Sequence, residues 1–258
     1  MRSTRSFVTV AATVAGFMAI ALLGTSCSTQ SVSSVTSAGG EPVDYIARDY
    51  VIDRIAQRGE IFDGVWPETS IDDLLPNREF AIDGATPEPL ADGIVVGTVT
   101  AVEQGRGYAV EGDDAPGGIE VAFDDPRSVW RVVVLTITTD TRLGDVDART
   151  IKVGVVIDGG MDAEKARKGY LSLGRVALVL DEPGFFEFDP SLYSVRQSGN
   201  LFGVVTKSGA VQFPGLGSGA ASFVGSTDTV ADLVAEASEV PVVIDVSTKA
   251  GQFARDDR

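Results

Sequence analysis

The chain has no histidine, and that absence removes more chemistry than any residue present supplies. Without imidazole there is no Ser-His-Asp or Cys-His catalysis, no histidine general base, and almost no route to a zinc or copper centre. Cysteine is nearly as scarce: Cys27 stands alone, so an internal disulfide and an iron-sulfur ligand set are excluded. Basic residues are few, with 21 Lys and Arg against 37 Asp and Glu and a formal charge of -16. A surface so acidic repels phosphate backbones and anionic head groups, which rules against nucleic acid as a partner. Carboxylates, lysines, tyrosines and hydroxyls are what remain for catalysis, and a non-catalytic protein is the expectation.

Among what is present, the N-terminus stands out. Met1-Arg-Ser-Thr-Arg5 is a short positive end, Phe7 to Leu23 is an uncharged apolar run, and Gly24-Thr-Ser-Cys27 closes it with small residues. This is the pattern of a secretory signal. Ser28 to Gly40 follows, too polar and small to pack. These residues resemble a bacterial lipoprotein precursor, with Thr25 and Ser26 at the small positions and Gly24 where that family usually has Leu. The resemblance covers residues 1 to about 40 and implies that Cys27 is lipidated and becomes the first mature residue. An uncleaved anchor and simple secretion are the alternatives. An apolar run from Phe7 to Leu23 is marginal for a span, which wants about 20 residues. Only lipidation also accounts for where the cysteine sits. The expected location is the outer face of the bacterial cytoplasmic membrane.

Composition then divides the chain. Residues 1–26 are the signal peptide and 27–42 the lipidated cysteine with a Ser-rich tether, which holds the rest roughly 20 Å from the lipid. Residues 43–92 combine a helix with a Pro-rich loop. Asp44 to Gln57 reads as that helix, with Asp44 and Arg48 spaced for an ion pair and Tyr50, Val51 and Ile55 on a partial apolar face. Four prolines between Gly59 and Asp92 leave room for one short turn around Ser70 to Leu75, and Trp66 is expected to cover a barrel end.

Residues 93–246 carry the body of the fold, and 247–258 should fray. Strands are predicted at Gly93–Glu103, Val129–Thr139, Ile151–Ile157 and Arg175–Leu180 from β-branched content and period-two alternation. A short helix is predicted at Met161–Tyr170. Leu201–Phe213 should be a hairpin turning on Lys207-Ser-Gly209. Val230, Leu233, Val234 and Ala237 mark a C-terminal helix capped by Thr227 or Asp228, and Pro241–Val246 is an edge strand. The order is that of a mainly β protein. It resembles a small Greek-key barrel of the oligonucleotide and oligosaccharide binding (OB) type, with a short inserted helix, an N-terminal helix and a C-terminal helix. A generic β-sandwich is the alternative. The glycine run Pro214–Ala220 lacks a phosphate-loop lysine and reads as a hinge.

The barrel resemblance directs attention to two loops, Gln104–Ser128 and Asp181–Asn200. Phe185, Phe186, Phe188 and Tyr193 in the second are the candidate ligand-binding aromatics, with core cover as their plainer role. Glu111, Asp113, Asp114, Asp124 and Asp125 in the first supply enough oxygens for calcium, without the Asp-x-Asp-x-Asp-Gly spacing of a dedicated loop. A solvated acidic surface is their plainer role. The expected function is a membrane-anchored binding module for a protein or glycan of the envelope. The alternatives are a carboxylate-dependent enzyme acting on envelope glycans and a structural lipoprotein.

Overall fold

A computed structural model describes residues 43–62, 70–81, 86–110, 118–183, 189–196, 199–219, 224–225 and 227–245. Cys27, Trp66, Glu111, Asp113, Asp114, Phe185, Phe186 and Phe188 lie outside the described residues.

Helix α1 spans Tyr45–Phe62. Its start is fixed by Asp44, whose carboxylate accepts from the Ala47 amide at 3.0 Å and whose own amide donates to Ser172 Oγ at 3.0 Å. The aspartate thus caps the helix, a role other than the ion pair with Arg48 that its spacing suggested. Ala47, Val51 and Ile55 recur at every fourth position and are buried. Burial of Val51 and Ile55, worth about 1.5–3 kcal/mol each, holds a helix whose own amphipathic pattern is weak.

Between Gly59 and Asp92 the sequence predicts loop, and the structure corrects this. A 3-10 turn at Ile71–Leu74 is present as expected, with Ser70 and Asp73 forming a reciprocal capping box. Two short strands are also there, β1 (Arg78–Ala81) and β2 (Glu88–Pro89). They exist because of a distant partner: β11 (Val242–Asp245) pairs parallel with β1, making a small three-stranded sheet in the order β11-β1-β2. The C-terminal strand therefore belongs to this sheet and adds no edge to the barrel.

The barrel is built from β3 (Gly93–Ala109), β5 (Trp130–Gly144), β6 (Thr150–Asp158), β7 (Arg175–Asp181) and β8 (Tyr193–Val195). Antiparallel pairs β3–β5 and β5–β6, the parallel pair β6–β8, and antiparallel pairs β8–β7 and β7–β3 close the ring. That circuit, with a helix between its third and fourth strands, is the OB-like Greek-key order. Closure depends on β3 pairing on both sides from Gly93 to Thr98, with one register shift inside that stretch and two more beyond it as β3 continues along β5. Short β4 (Ile119–Val121) extends β3, while β9 (Phe202–Val205) and β10 (Val211–Gln212) extend β7. The β9–β10 hairpin turns at Gly209, whose φ of 88° is the left-handed conformation that position requires.

Alternation places the core as the sequence indicates. Val133, Leu135 and Ile137 of β5, and Ile151, Val153, Val155 and Ile157 of β6, point into the barrel and are buried. Helix α2 (Ala163–Leu173) closes one side with Ala166, Tyr170 and Leu173, its first turn capped by Asp162. Helix α1 packs on the outside of α2. Helix α3 (Val230–Ala237) is capped by Thr229 in a capping box with Asp232, one residue beyond the expected caps. The run Pro214–Gly219 is not a bare hinge but 3-10 turns kinked at Gly217, with Leu216 packed on the core.

Candidate binding cleft

Strand β8 pairs with β6 only at Val153 and Gly154. Beyond that point β6 forms the wall of a cleft of about 310 Å³, with α1 on one side and Gly199 and Phe202 on the other. Its floor is apolar and fixed: Val155, Ile157, Met161, Tyr170 and Phe202 are all buried core residues. The Tyr170 and Phe202 rings meet at 6.0 Å, tilted by 58°, an edge-to-face style of contact that locks both.

The polar groups come from the rim. Arg54 and Gln57 are contributed by α1, one turn apart, with Arg54 Nη1 donating to Gln57 Oε1 at 3.0 Å. The Arg54 guanidinium lies 5.4 Å from the Tyr50 ring centroid, and the Tyr50 hydroxyl accepts from the Asp162 amide at 3.2 Å. A cation held over an aromatic face has less rotamer freedom to lose on binding. Asp158, at the end of β6, is the acid among the described lining residues. Among its described residues the cleft thus presents one positive and one negative group over an apolar floor. Such a site accommodates an amphipathic group, with the hydrophobic part seated and the polar part met at the rim.

Trp130 connects this cleft to a second surface. It lines the cleft and also packs, on the outer face of β5 and β6, against a cluster of Tyr108, Val132 and Leu192 together with Val134 and Val156. The outward-facing apolar residues of β5 are accounted for by this patch, which Leu192 from the β7–β8 connection covers. Burial pushes the Tyr108 phenol above its ordinary range, and Glu120 and Asp189 push the same way against Arg106.

The residues singled out from the sequence fare unevenly. Tyr193 is in β8, its backbone paired with Val153 and its ring partly buried against the core, so it helps close the barrel and does not line the cleft. Asp125 is engaged by Arg127, accepting from its amide at 2.8 Å and from its guanidinium at 2.9 and 3.1 Å. Those bonds hold the carboxyl below the usual range. Asp124 is exposed beside it. Among the described residues no three acids converge as a metal site would require. The other members of both sets lie outside the described residues.

Arg54, Asp158 and Phe202 were not anticipated. The local signal is Asp158-Gly-Gly160, a strand end with an acid where the chain turns; no motif in the sequence marks Arg54. Among the described residues one carboxylate is shifted upward: burial pushes Asp181 up, with Asp92 adding to it and Arg196 opposing. It sits at the β7–β8 closure, bonded to Arg196, and does not line the cleft. Compared with known proteins, the chain matches no family model, no curated protein and no solved structure.

Proposed function

We propose that the protein is an extracytoplasmic lipoprotein, fastened through Cys27 to the outer face of the cytoplasmic membrane. Its barrel acts as a non-catalytic module holding a protein or glycan of the envelope in the cleft between α1 and β6. The export and anchor parts of this reading are supported by the charge, hydropathy and small-residue pattern of residues 1–27. The binding part is carried by one observation, the apolar floor of Tyr170, Phe202, Val155 and Ile157 beneath the polar rim of Arg54, Gln57 and Asp158. Glycan hydrolysis calls for two carboxyls about 5 to 10 Å apart across a groove, and the described lining supplies Asp158 alone.

The test is photocross-linking in intact cells from a reactive residue placed at exposed Gln57, with the same residue at exposed Lys207 on the β9–β10 turn as reference. The expected result is a discrete adduct from position 57, absent from position 207 and lost when Trp130→Ala is added. Equal labelling from both positions, or an adduct indifferent to Trp130, would remove the cleft as the binding site.

A further inference from the structure

Helix α1 begins with two large side chains that face away from the protein. Ile46 is 76% exposed and Tyr45 is 45% exposed, while Ala47, Val51 and Ile55 on the other face are buried. Single exposed apolar residues are ordinary on any surface. These two are adjacent, and they stand near the start of the described residues, just after the segment 27–42 that the sequence reads as a tether.

The charge around them is unlike that of the whole protein. Ile46 and Ala47 share a shallow depression of about 320 Å³ with Asp44, Asp162, Glu164, Lys165 and Lys168. Within α1's first turns and α2's first turns, Asp44, Asp49, Asp162 and Glu164 stand against Arg48, Lys165, Arg167 and Lys168, four acids to four bases. Glu164 is bonded by Arg167 at 2.9 Å and approached by Lys168 at 3.6 Å, so its charge is neutralised locally. The Lys165 ammonium lies 4.3 Å from the Tyr50 ring centroid. In a chain of 21 bases and 37 acids, the first turns of these two helices balance in formal charge and the remainder carries the surplus negative charge.

We propose that this α1–α2 face rests on the lipid surface, with Tyr45 and Ile46 at the level of the head groups and Lys165 and Lys168 reaching the phosphates. The inference rests on the lipid-anchor reading of Cys27 and adds to it the orientation of the barrel. An anionic bilayer repels an acidic protein least where the charge is balanced. Tyrosine and isoleucine beside lysines suit the interface, because the rings and branched chain enter the boundary while the ammonium groups extend to the phosphates. A tether at 27–42, as the Ser-rich sequence suggests, would end here and, at roughly 20 Å of mean reach, would keep this point of the domain near the bilayer.

The test uses the full lipidated chain in vesicles of phosphatidylethanolamine and phosphatidylglycerol. Cys27 is blocked by its lipid, so nitroxides go singly on Ile46→Cys, Asp49→Cys and Val240→Cys. The Asp49 position leaves Ile46 in place and guards against insertion created by the probe. Collision with dissolved oxygen and with a water-soluble nickel chelate reports depth. Positions 46 and 49 should lose nickel accessibility on vesicles relative to detergent, with 46 gaining oxygen accessibility, while 240 stays water-like. If the protein floats with the vesicles but 46 and 49 remain as accessible to nickel as 240, the orientation is wrong and the anchor stands. If the chain does not float at all, the anchor reading and this inference fall together.

Discussion

Gly169 of α2 lies so close to Ala47 of α1 that a methyl group on its Cα would stand 2.3 Å from the Ala47 carbonyl oxygen and 2.4 Å from Val51 Cγ2. The docking of α1, and with it the Arg54 side of the cleft, therefore depends on a residue with no side chain. Gly169→Ala should gain up to about 1 kcal/mol of helix propensity. It should lose about 1–3 kcal/mol to overpacking, because a backbone carbonyl cannot rotate away as a side chain can. A net fall in the urea midpoint is expected. Adding Val51→Ala should not restore it, since the carbonyl contact remains. A variant more stable than the parent would show that the helices separate more easily than their packing indicates.

Asn77 ties the small sheet to α3. Its side-chain NH2 donates to the Glu236 carbonyl at 2.8 Å and to the Glu239 carbonyl at 3.4 Å, while its main-chain carbonyl accepts from the Val242 amide at 2.9 Å. The last carbonyls of a helix have no partner within it, and a buried amide meets that need. Arg78, next in sequence, pairs with Glu236. Asn77→Ala should cost about 1 kcal/mol by removing the side-chain donor of the Glu236 and Glu239 carbonyls, the Glu236 carbonyl keeping the Glu239 amide at 3.1 Å. Amide exchange of Val242–Asp245 should accelerate while that of β5 and β6 does not. Uniform acceleration across the barrel would mean that the two sheets unfold as one unit.

How much of this was legible in the sequence follows from segment length and partner distance. Strands β5 and β6 show enough alternation to declare both faces, and helix α3 its 3.6-residue stripe, so these elements are readable. Strand β8 is three residues long and β2 is two; no periodicity exists at that length, and both are strands only because β6, β7 or β1 lies alongside. The cap of α3 was misplaced by one residue because Thr227, Asp228 and Thr229 are all competent caps, and only the Thr229 and Asp232 reciprocity selects among them. The cleft was hidden for a different reason. Arg54 and Phe202 belong to segments that meet only after α1 docks on α2, and that docking rests on a glycine whose importance no hydropathy pattern reports.

Asp181 offers a pH test of how the barrel is closed. Its carboxylate is bonded by Arg196 where β7 meets β8, yet burial outweighs that attraction and its folded-state pKa lies above the ordinary 3.8. A group whose folded pKa is raised binds its proton more tightly in the native state than in the unfolded one. Protonation then favours folding, and stability falls as pH climbs from the ordinary carboxylate value through the raised one. Asp181→Asn does not titrate, so the stability difference between variant and parent should move in the variant's favour across that window and stay constant above it. Urea midpoints measured from acid to neutral pH read this directly. If the ion pair with Arg196 outweighed burial, the folded pKa would be depressed and the difference would move the opposite way. The sign of that slope therefore decides whether the seam between β7 and β8 is held by its backbone ladder in spite of a buried charge, or by the charge pair itself.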